Sequence, residues 1–266
     1  VRTVLVIGIG SGAPERLTLE AVAAIGRADV FFSMEKGGAA DELDGLRRSL
    51  CERFATARPH RFVAVPDPPR DRAAADYHAG VADWTAARAR LWERLLREEL
   101  DDGGCGAFLA WGDPAFYDSI LRVLEQLSGP GGTARGGGLE LHVEVVPGVS
   151  SIQALAAAHR ISLTRVGTAV HLTTGRHLTE DGVPAGADDV VVMLDGGTAF
   201  TALDPDGWHI FWGAYLGMPG QILDAGPLVE AGPRIVAART AARARRGWIM
   251  DTYLLRRIPS AAPDRT

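Results

Sequence analysis

Residues 3–18 read TVLVIGIGSGAPERLT, and the fold class turns on how they are parsed. The aliphatic, β-branched run up to Gly8 has the composition of a strand buried on both faces, as in a parallel sheet. Gly8, Gly10 and Gly12 then alternate with other residues. Glycine lets the backbone adopt positive φ and lets a ligand come close to it. Thr18 stands where a helix N-cap belongs, ahead of LTLEAVAAIGRA. Strand, glycine turn and helix together open an α/β fold. The first ten residues are apolar, but a glycine turn follows them and no A-x-A-like cleavage site does. They therefore read as a buried strand rather than a secretory signal.

The same reading extends along the chain. Strands are predicted at 29–34, in CGAFLAWGDP after Gly104, and at 139–146. Further strands are predicted at 168–173, 189–194, 209–213, 234–239 and 247–254. Helices are predicted at 38–56, 74–101, 115–127 and 149–158. In the second of these, Val81, Trp84, Leu91 and Leu95 recur near the helical period, and Trp84 and Trp92 are expected in the core. Residues 59–72 hold proline and arginine with little periodicity, and the tail SAAPDRT reads as disordered. Alternating strands and helices favour an α/β fold with a largely parallel sheet. The second half reads as richer in strands, with shorter helices. Two domains are expected, 1–128 and 139–266, joined by a glycine-rich surface loop at 129–138.

Composition limits the function classes. The 266 residues are 47 % hydrophobic and 23 % charged, an ordinary globular balance that excludes a disordered tail or a disulfide scaffold. A net charge of -5 argues against nucleic acid as a partner. No apolar run approaches the roughly 20 residues of a spanning helix, so no membrane partner is expected. Cys51 and Cys105 lack metal-ligand spacing and suit a reducing cytoplasm, and the histidines form no metal motif. The 28 basic residues include one lysine, Lys36, and the rest are arginine. A GC-rich genome accounts for most of that bias. A lone lysine under such pressure is a candidate for a place where arginine will not serve, since lysine is a compact point charge and arginine a planar fork.

Three segments place a glycine turn at a strand end: Gly8–Gly12, Trp111-Gly112-Asp113-Pro114, and Pro147-Gly148-Val149-Ser150-Ser151. Each alone suits a tight turn or a helix cap; together they can line one crevice at the carboxyl end of a sheet. A dinucleotide site remains open on these residues alone, with Glu35 near the position of a ribose-binding acid. Its usual G-x-G-x-x-G spacing is absent, however, and Pro14 delays the helix. No nucleophile elbow or Walker A is present.

GIGSGAPERLT, WGDPAFY and VVPGVSSIQALAA resemble the tetrapyrrole methylase family across about the whole chain. Gly8, Gly10, Gly12, Leu17 and Thr18 match its first motif, but Ser11 and Ala13 stand where proline and aspartate are usual. DVFFSMEKG, WGAYLGMPGQIL and GWIMDTYLLRR look like the member that methylates precorrin-5 at carbon 1 and loses acetate. The resemblance implies two α/β domains with a cofactor cleft between them, S-adenosylmethionine as cofactor, S-adenosylhomocysteine as product, a tetrapyrrole substrate and a homodimer. By analogy, cofactor contacts fall on Gly10, Ser11, Trp111, Gly112, Asp113, Phe116, Ser150, Ser151, Met193, Tyr215, Leu216, Trp248 and Ile249. Lys36, Tyr117 and Asp118 are the catalytic candidates. The substrate's carboxylates call for cations, and a few of Arg47, Arg48, Arg53, Arg58, Arg61, Arg70 and Arg72 are expected at the entrance.

Overall fold

The structure, a computed structural model, describes residues 1–35, 41–56, 58–69, 76–128 and 139–258. Lys36, Arg70, Arg72, the glycine-rich stretch 129–138 and the tail lie outside the described residues. The chain forms two compact units, Val1–Ser150 and Ser151–Thr266.

The first unit contains strands β1 (Arg2–Gly8), β2 (Val30–Glu35), β3 (Arg61–Pro66), β4 (Cys105–Ala110) and β5 (Leu141–Val146). Helices α1 (Leu19–Ile25), α2 (Asp41–Phe54), α3 (Tyr77–Glu99) and α4 (Ile120–Ser128) connect them. All five strands run parallel, in the order β3-β2-β4-β1-β5. Successive residues of β1 serve opposite faces. Val4 and Val6 pack with α3 and α4, whereas Leu5 and Ile7 pack with α1 and α2. Trp92 is the anchor of the first face, stacked on Phe108 with centroids 4.2 Å apart. Its indole N–H reaches the Met34 sulfur at 3.1 Å. Thr18 caps α1 as predicted, its hydroxyl accepting from the Ala21 N–H at 3.0 Å.

The expected domain boundary moves. β5 pairs with β1 from Arg2↔Leu141 to Ile7↔Val146, so residues 139–150 complete the first sheet and do not begin the second unit. Within 59–72, a stretch with little periodicity, β3 forms an edge strand. The predicted helix 115–127 begins only at Ile120, because residues 114–118 are turns.

The second unit contains α5 (Ser151–His159), β6 (Val170–Thr174), α6 (Gly175–Asp181), β7 (Asp189–Met193), β8 (Trp208–Ala214), β9 (Ile222–Pro227), α7 (Leu228–Arg246) and β10 (Asp251–Arg257). Its sheet order is β6-β7-β10-β8-β9, parallel only between β6 and β7. The strand predicted at 234–239 is instead the middle of α7, the 19-residue helix of a half expected to hold only shorter ones. Ile235 and Val236 are β-branched and carry strand propensity. The buried residues Leu228, Ala231, Gly232, Ile235, Arg239 and Ala242 recur at helical spacing, and burying that face outweighs local propensity. Gly247 ends the helix at φ +76°, so residues 247–250 precede β10 and do not belong to it.

Candidate functional site

The carboxyl ends of β4, β1 and β5 are neighbours, and their three glycine turns meet there. Gly10 and Gly112 form a two-bond antiparallel bridge, N–H to O=C at 3.1 and 2.8 Å. Gly8 and Gly148 lie backbone against backbone. A Cβ on Gly8 would sit 2.6 Å from the Gly148 nitrogen, and one on Gly148 would sit 2.2 Å from the Gly112 oxygen. Glycine is required here by close approach, and at Gly10 and Gly112 by φ values of +73° and +72°. The result is a patch of side-chain-free backbone at three adjacent strand tips.

Asp113 holds this crossing together. One carboxylate oxygen accepts from the Ala115 N–H and the other from the Gly148 N–H, both at 2.8 Å. Its carboxylate thus ties the second glycine turn to the third. Ser11 is buried, and its hydroxyl accepts from Arg16 at 2.8 Å. Trp111 packs against the core on the α1–α2 face. Tyr117 is 44 % exposed with φ +54°, a conformation that costs a non-glycine residue roughly 1–2 kcal/mol. Burial of the rest of its ring raises its phenol pKa, which keeps it a hydrogen-bond donor. Asp118 accepts from the Ile120 N–H at 2.6 Å and so starts α4.

In the second unit the predicted residues also fall at strand tips. Met193 ends β7, Tyr215 and Leu216 follow β8, and Trp248 and Ile249 precede β10. Tyr215 has φ +52° and is fastened twice, its N–H to the Met250 carbonyl at 2.9 Å and its hydroxyl to the Trp248 carbonyl at 2.7 Å. Leu194, next to Met193, has φ +54°. Such strain persists only where surrounding contacts over-determine it. Tyr215 and Leu216 are buried. Beneath these loops lies a buried polar network. Arg239 donates to the Asp195 carbonyl and to Asp251, which also accepts from the Trp212 indole at 2.8 Å. Tyr253 donates to Asp195 at 2.7 Å. Burial raises the Asp251 carboxyl above the usual range, with Arg239 and the indole pulling it back. Burial and the neighbouring Asp195 push the Tyr253 phenol up, so it stays a donor.

A second feature of the first unit was not expected from sequence. β2 pairs with β4 only from Val30↔Gly106 to Phe32↔Phe108, and beyond that point the strands part. α2, which leaves β2, lies on one face, and α4, which follows β4, lies on the other, so the gap is a switch point of the sheet. It holds a cavity of ≈ 130 Å³ lined by Phe32, Trp92 and Phe108 and by Ser33, Asp44, Arg47, Arg88, Asp118 and Ser119.

The sequence profile of the tetrapyrrole (corrin/porphyrin) methylases matches residues 3–232. The chain belongs to this family. Among its tetrapyrrole methylase relatives, a precorrin-6A synthase [deacetylating] of Sinorhizobium sp is 44 % identical over 97 % of this chain and 96 % of its own. A precorrin-2 C(20)-methyltransferase of Sinorhizobium sp is 27 % identical over 55 % of this chain and 53 % of its own. The solved structure of a protein named as cobalamin-synthesis-related, CobF, from Corynebacterium diphtheriae superposes with a TM-score of 0.80 at 36 % identity, over 97 % of this chain and 99 % of that one. The fold is also that of a uroporphyrin-III C-methyl transferase from Thermus thermophilus, solved with S-adenosylhomocysteine (TM-score 0.55, 20 % identity, covering 95 % and 91 % of the chains).

Membership in the tetrapyrrole methylases removes the dinucleotide alternative, and the local geometry agrees. A 3-10 turn, Pro14–Arg16, intervenes after the glycines and α1 opens only at Leu19, so no helix N-terminus abuts the glycine turn. The arginine expectation is corrected in part. Arg58 pairs with Asp29 and Arg61 with Glu99, at the amino ends of the strands, opposite the glycine crossing. Arg48 and Arg53 lie over the rings of Phe62 and Phe54. Arg47 alone of the described arginines in that series lines the switch-point cavity. Ser33, Arg88 and Ser119 escaped sequence reasoning because only the adjacency of β2 and β4 brings them together.

Proposed function

We propose that this chain methylates carbon 1 of precorrin-5 with S-adenosylmethionine and releases the acetyl group as acetate, giving precorrin-6A. The observation that carries this reading is the 44 % identity to the precorrin-6A synthase [deacetylating] along 97 % of the chain. The glycine crossing suits the cofactor. Three strand tips held backbone to backbone present main-chain groups with no side chain over them, and the one carboxylate there, Asp113, already has two N–H partners. Gly10, Ser11, Trp111, Gly112, Asp113, Phe116 and Ser150 of the first unit are the proposed cofactor contacts there. Ser151, Met193, Tyr215, Leu216, Trp248 and Ile249 are those of the second.

When bound, the cofactor supplies a methyl group already activated on a sulfonium. The protein's share is positioning. Backbone pinned by the Gly10–Gly112 bridge and by Asp113 cannot drift, and alignment of two bound reactants accounts for much of such a rate gain. Lys36 is proposed to meet a substrate carboxylate or the acetyl oxygen, and Tyr117 and Asp118 to act near the reacting ring. We further place the protein in the cytoplasm as a homodimer. Among the described residues no helix is long and apolar enough to cross a membrane.

The test is direct. Precorrin-5 and S-adenosylmethionine are supplied, and products are read by mass spectrometry. Gain of one methyl with loss of acetyl supports the reading, whereas methyl gain with acetyl retained assigns a sibling methylase. In a thermal-shift panel S-adenosylhomocysteine stabilises the protein and NADH does not. Near-normal turnover in both Lys36→Arg and Lys36→Ala removes Lys36 from the mechanism.

A further inference from the structure

Methyl transfer leaves one part of the first unit unused, the cavity where β2 and β4 separate. Its charges do not suit a carboxylate guest. Arg47 is paired with Asp44 at 2.8 Å, and Asp44 also accepts from the Ser33 hydroxyl at 3.0 Å. Arg88 is buried and makes a forked pair with Asp67, with nitrogen–oxygen distances of 2.5 and 3.0 Å. Its remaining terminal nitrogen donates to the Ser119 hydroxyl at 2.6 Å. Both lining arginines are thereby neutralised. Asp118 has no cationic partner among the described residues, so the lining and its paired groups carry a net negative charge. A substrate carboxylate entering here would meet like charge in a partly desolvated space.

An uncharged group with one apolar end is a different matter. Phe32, Trp92 and Phe108 form one wall, and Ser33, Asp118 and Ser119 contribute polar groups. At about 30 Å³ per water, a cavity of ≈ 130 Å³ has room for a two-carbon acyl group and one water. One Asp118 oxygen is committed to the Ile120 N–H, which fixes the carboxylate and leaves the other oxygen as an acceptor.

We propose that this cavity is the acetyl pocket and that Asp118 is the general base for acetyl release. The inference rests on the proposed methyl transfer with loss of acetyl. The Asp118 carboxylate takes a proton from a water as that water's oxygen bonds to the acetyl carbonyl carbon, and the carbonyl π pair moves to oxygen. The resulting hydrate reforms its carbonyl and breaks the bond to the ring. That electron pair stays on the ring carbon and its conjugated macrocycle, which then takes the methyl from the sulfonium at the same position. Acetic acid leaves, and the proton on Asp118 passes to solvent. The cavity thus sorts the substrate's arms, admitting the one uncharged arm and rejecting the carboxylates.

Asp118→Asn, Asp118→Glu and Asp44→Asn, each in the full chain, are tested with precorrin-5 and S-adenosylmethionine in H2(18)O. Macrocycle and acetate are followed separately by mass spectrometry. Asparagine keeps an oxygen for the Ile120 N–H, so α4 still starts, and an unchanged thermal shift with S-adenosylhomocysteine checks this. Wild type is expected to place one solvent oxygen in acetate. Asp118→Asn is expected to slow acetate release by about 100-fold, the lower end of what a general base contributes, while precorrin-5 persists, acetylated and unmethylated. Asp118→Glu recovers part of the release. Acetate release at the wild-type pace in Asp118→Asn overturns the proposal. So does persistence of the acetylated substrate in Asp44→Asn and not in Asp118→Asn. If wild type methylates precorrin-5 but retains acetyl, the pocket assignment falls and methyl transfer stands. If it transfers no methyl, both readings fall.

Discussion

Gly148→Ala puts the glycine crossing under a defined load. The new Cβ would lie 2.2 Å from the Gly112 oxygen and 2.8 Å from the Gly8 carbonyl carbon, where ordinary contact begins at 3.4 Å. Backbone must therefore move by about 1.2 Å (3.4 less 2.2). Both neighbours are main chain, and Gly112 is also tied to Gly10. Overpacking of this kind costs about 1–3 kcal/mol. Losing the charge-assisted bond from the Gly148 N–H to Asp113 adds roughly 1.5–3 kcal/mol. We expect a total near 3–5 kcal/mol in urea unfolding, a lower Tm, and loss of S-adenosylhomocysteine binding by calorimetry. Where the variant still folds, an ångström of misplacement predicts roughly a 100-fold fall in kcat/KM. Gly45→Ala is the control. That glycine is exposed within α2 with nothing near its would-be Cβ, so alanine there stabilises by about 0.5–1 kcal/mol. Wild-type affinity and Tm in Gly148→Ala would refute the crossing as the element that shapes the site.

Three other outcomes follow from the same geometry. Asp113→Asn leaves one of two backbone N–H groups facing an amide donor, so about 1.5–3 kcal/mol is lost in denaturant titration and cofactor affinity weakens. Arg239→Met strands the buried Asp251 carboxylate, a loss of about 3–5 kcal/mol at neutral pH. Because the folded Asp251 pKa is raised by burial, its favourable contribution is present below the unfolded value and is lost as pH rises through the folded one. Removing Arg239 raises it further, so the variant's deficit in urea melts is larger at pH 7 than at pH 5, and a pH-independent deficit contradicts the assignment. Cys51 is buried with its thiol pushed up to about 12, and burial also raises Cys105. Neither is expected to react with a thiol-exchange reagent at pH 8 until the protein is denatured, and rapid native labelling of either would show an opening the fold does not contain.

What could be read from sequence follows burial. β1, β4 and β7 are interior strands whose continuous apolar runs announce them. The two strands that escaped, β3 and β9, are both sheet edges. Each pairs on one side only, β3 holds no fully buried residue, and β9 carries Asp224, Gly226 and Pro227. An edge needs less apolar surface and tolerates proline, so its pattern dissolves into its surroundings. In α7 the error ran the other way, since Ile235-Val236 carries strand propensity while the whole face supports a helix. At the site, the three glycine turns were legible because each follows an apolar run. That Asp113 spans from one turn to another was not, since Asp113 and Gly148 lie 35 residues apart in the chain. The switch-point cavity was less legible still. It exists because β4 inserts beside β2 out of chain order and their ladder then ends at Phe32↔Phe108.

The crossing of Gly8, Gly112 and Gly148 also bears on how such a protein can change. The would-be Cβ space of Gly8 and of Gly148 is taken by the backbone of the others and Gly112 is held at φ +72°, so the three positions are one mutational unit. Once any one of them has been replaced and the strand tips have spread, replacing a second should do little further harm, a strong positive epistasis. Redesign of this pocket for a bulkier donor cannot then proceed one glycine at a time. It has to move three strand ends together.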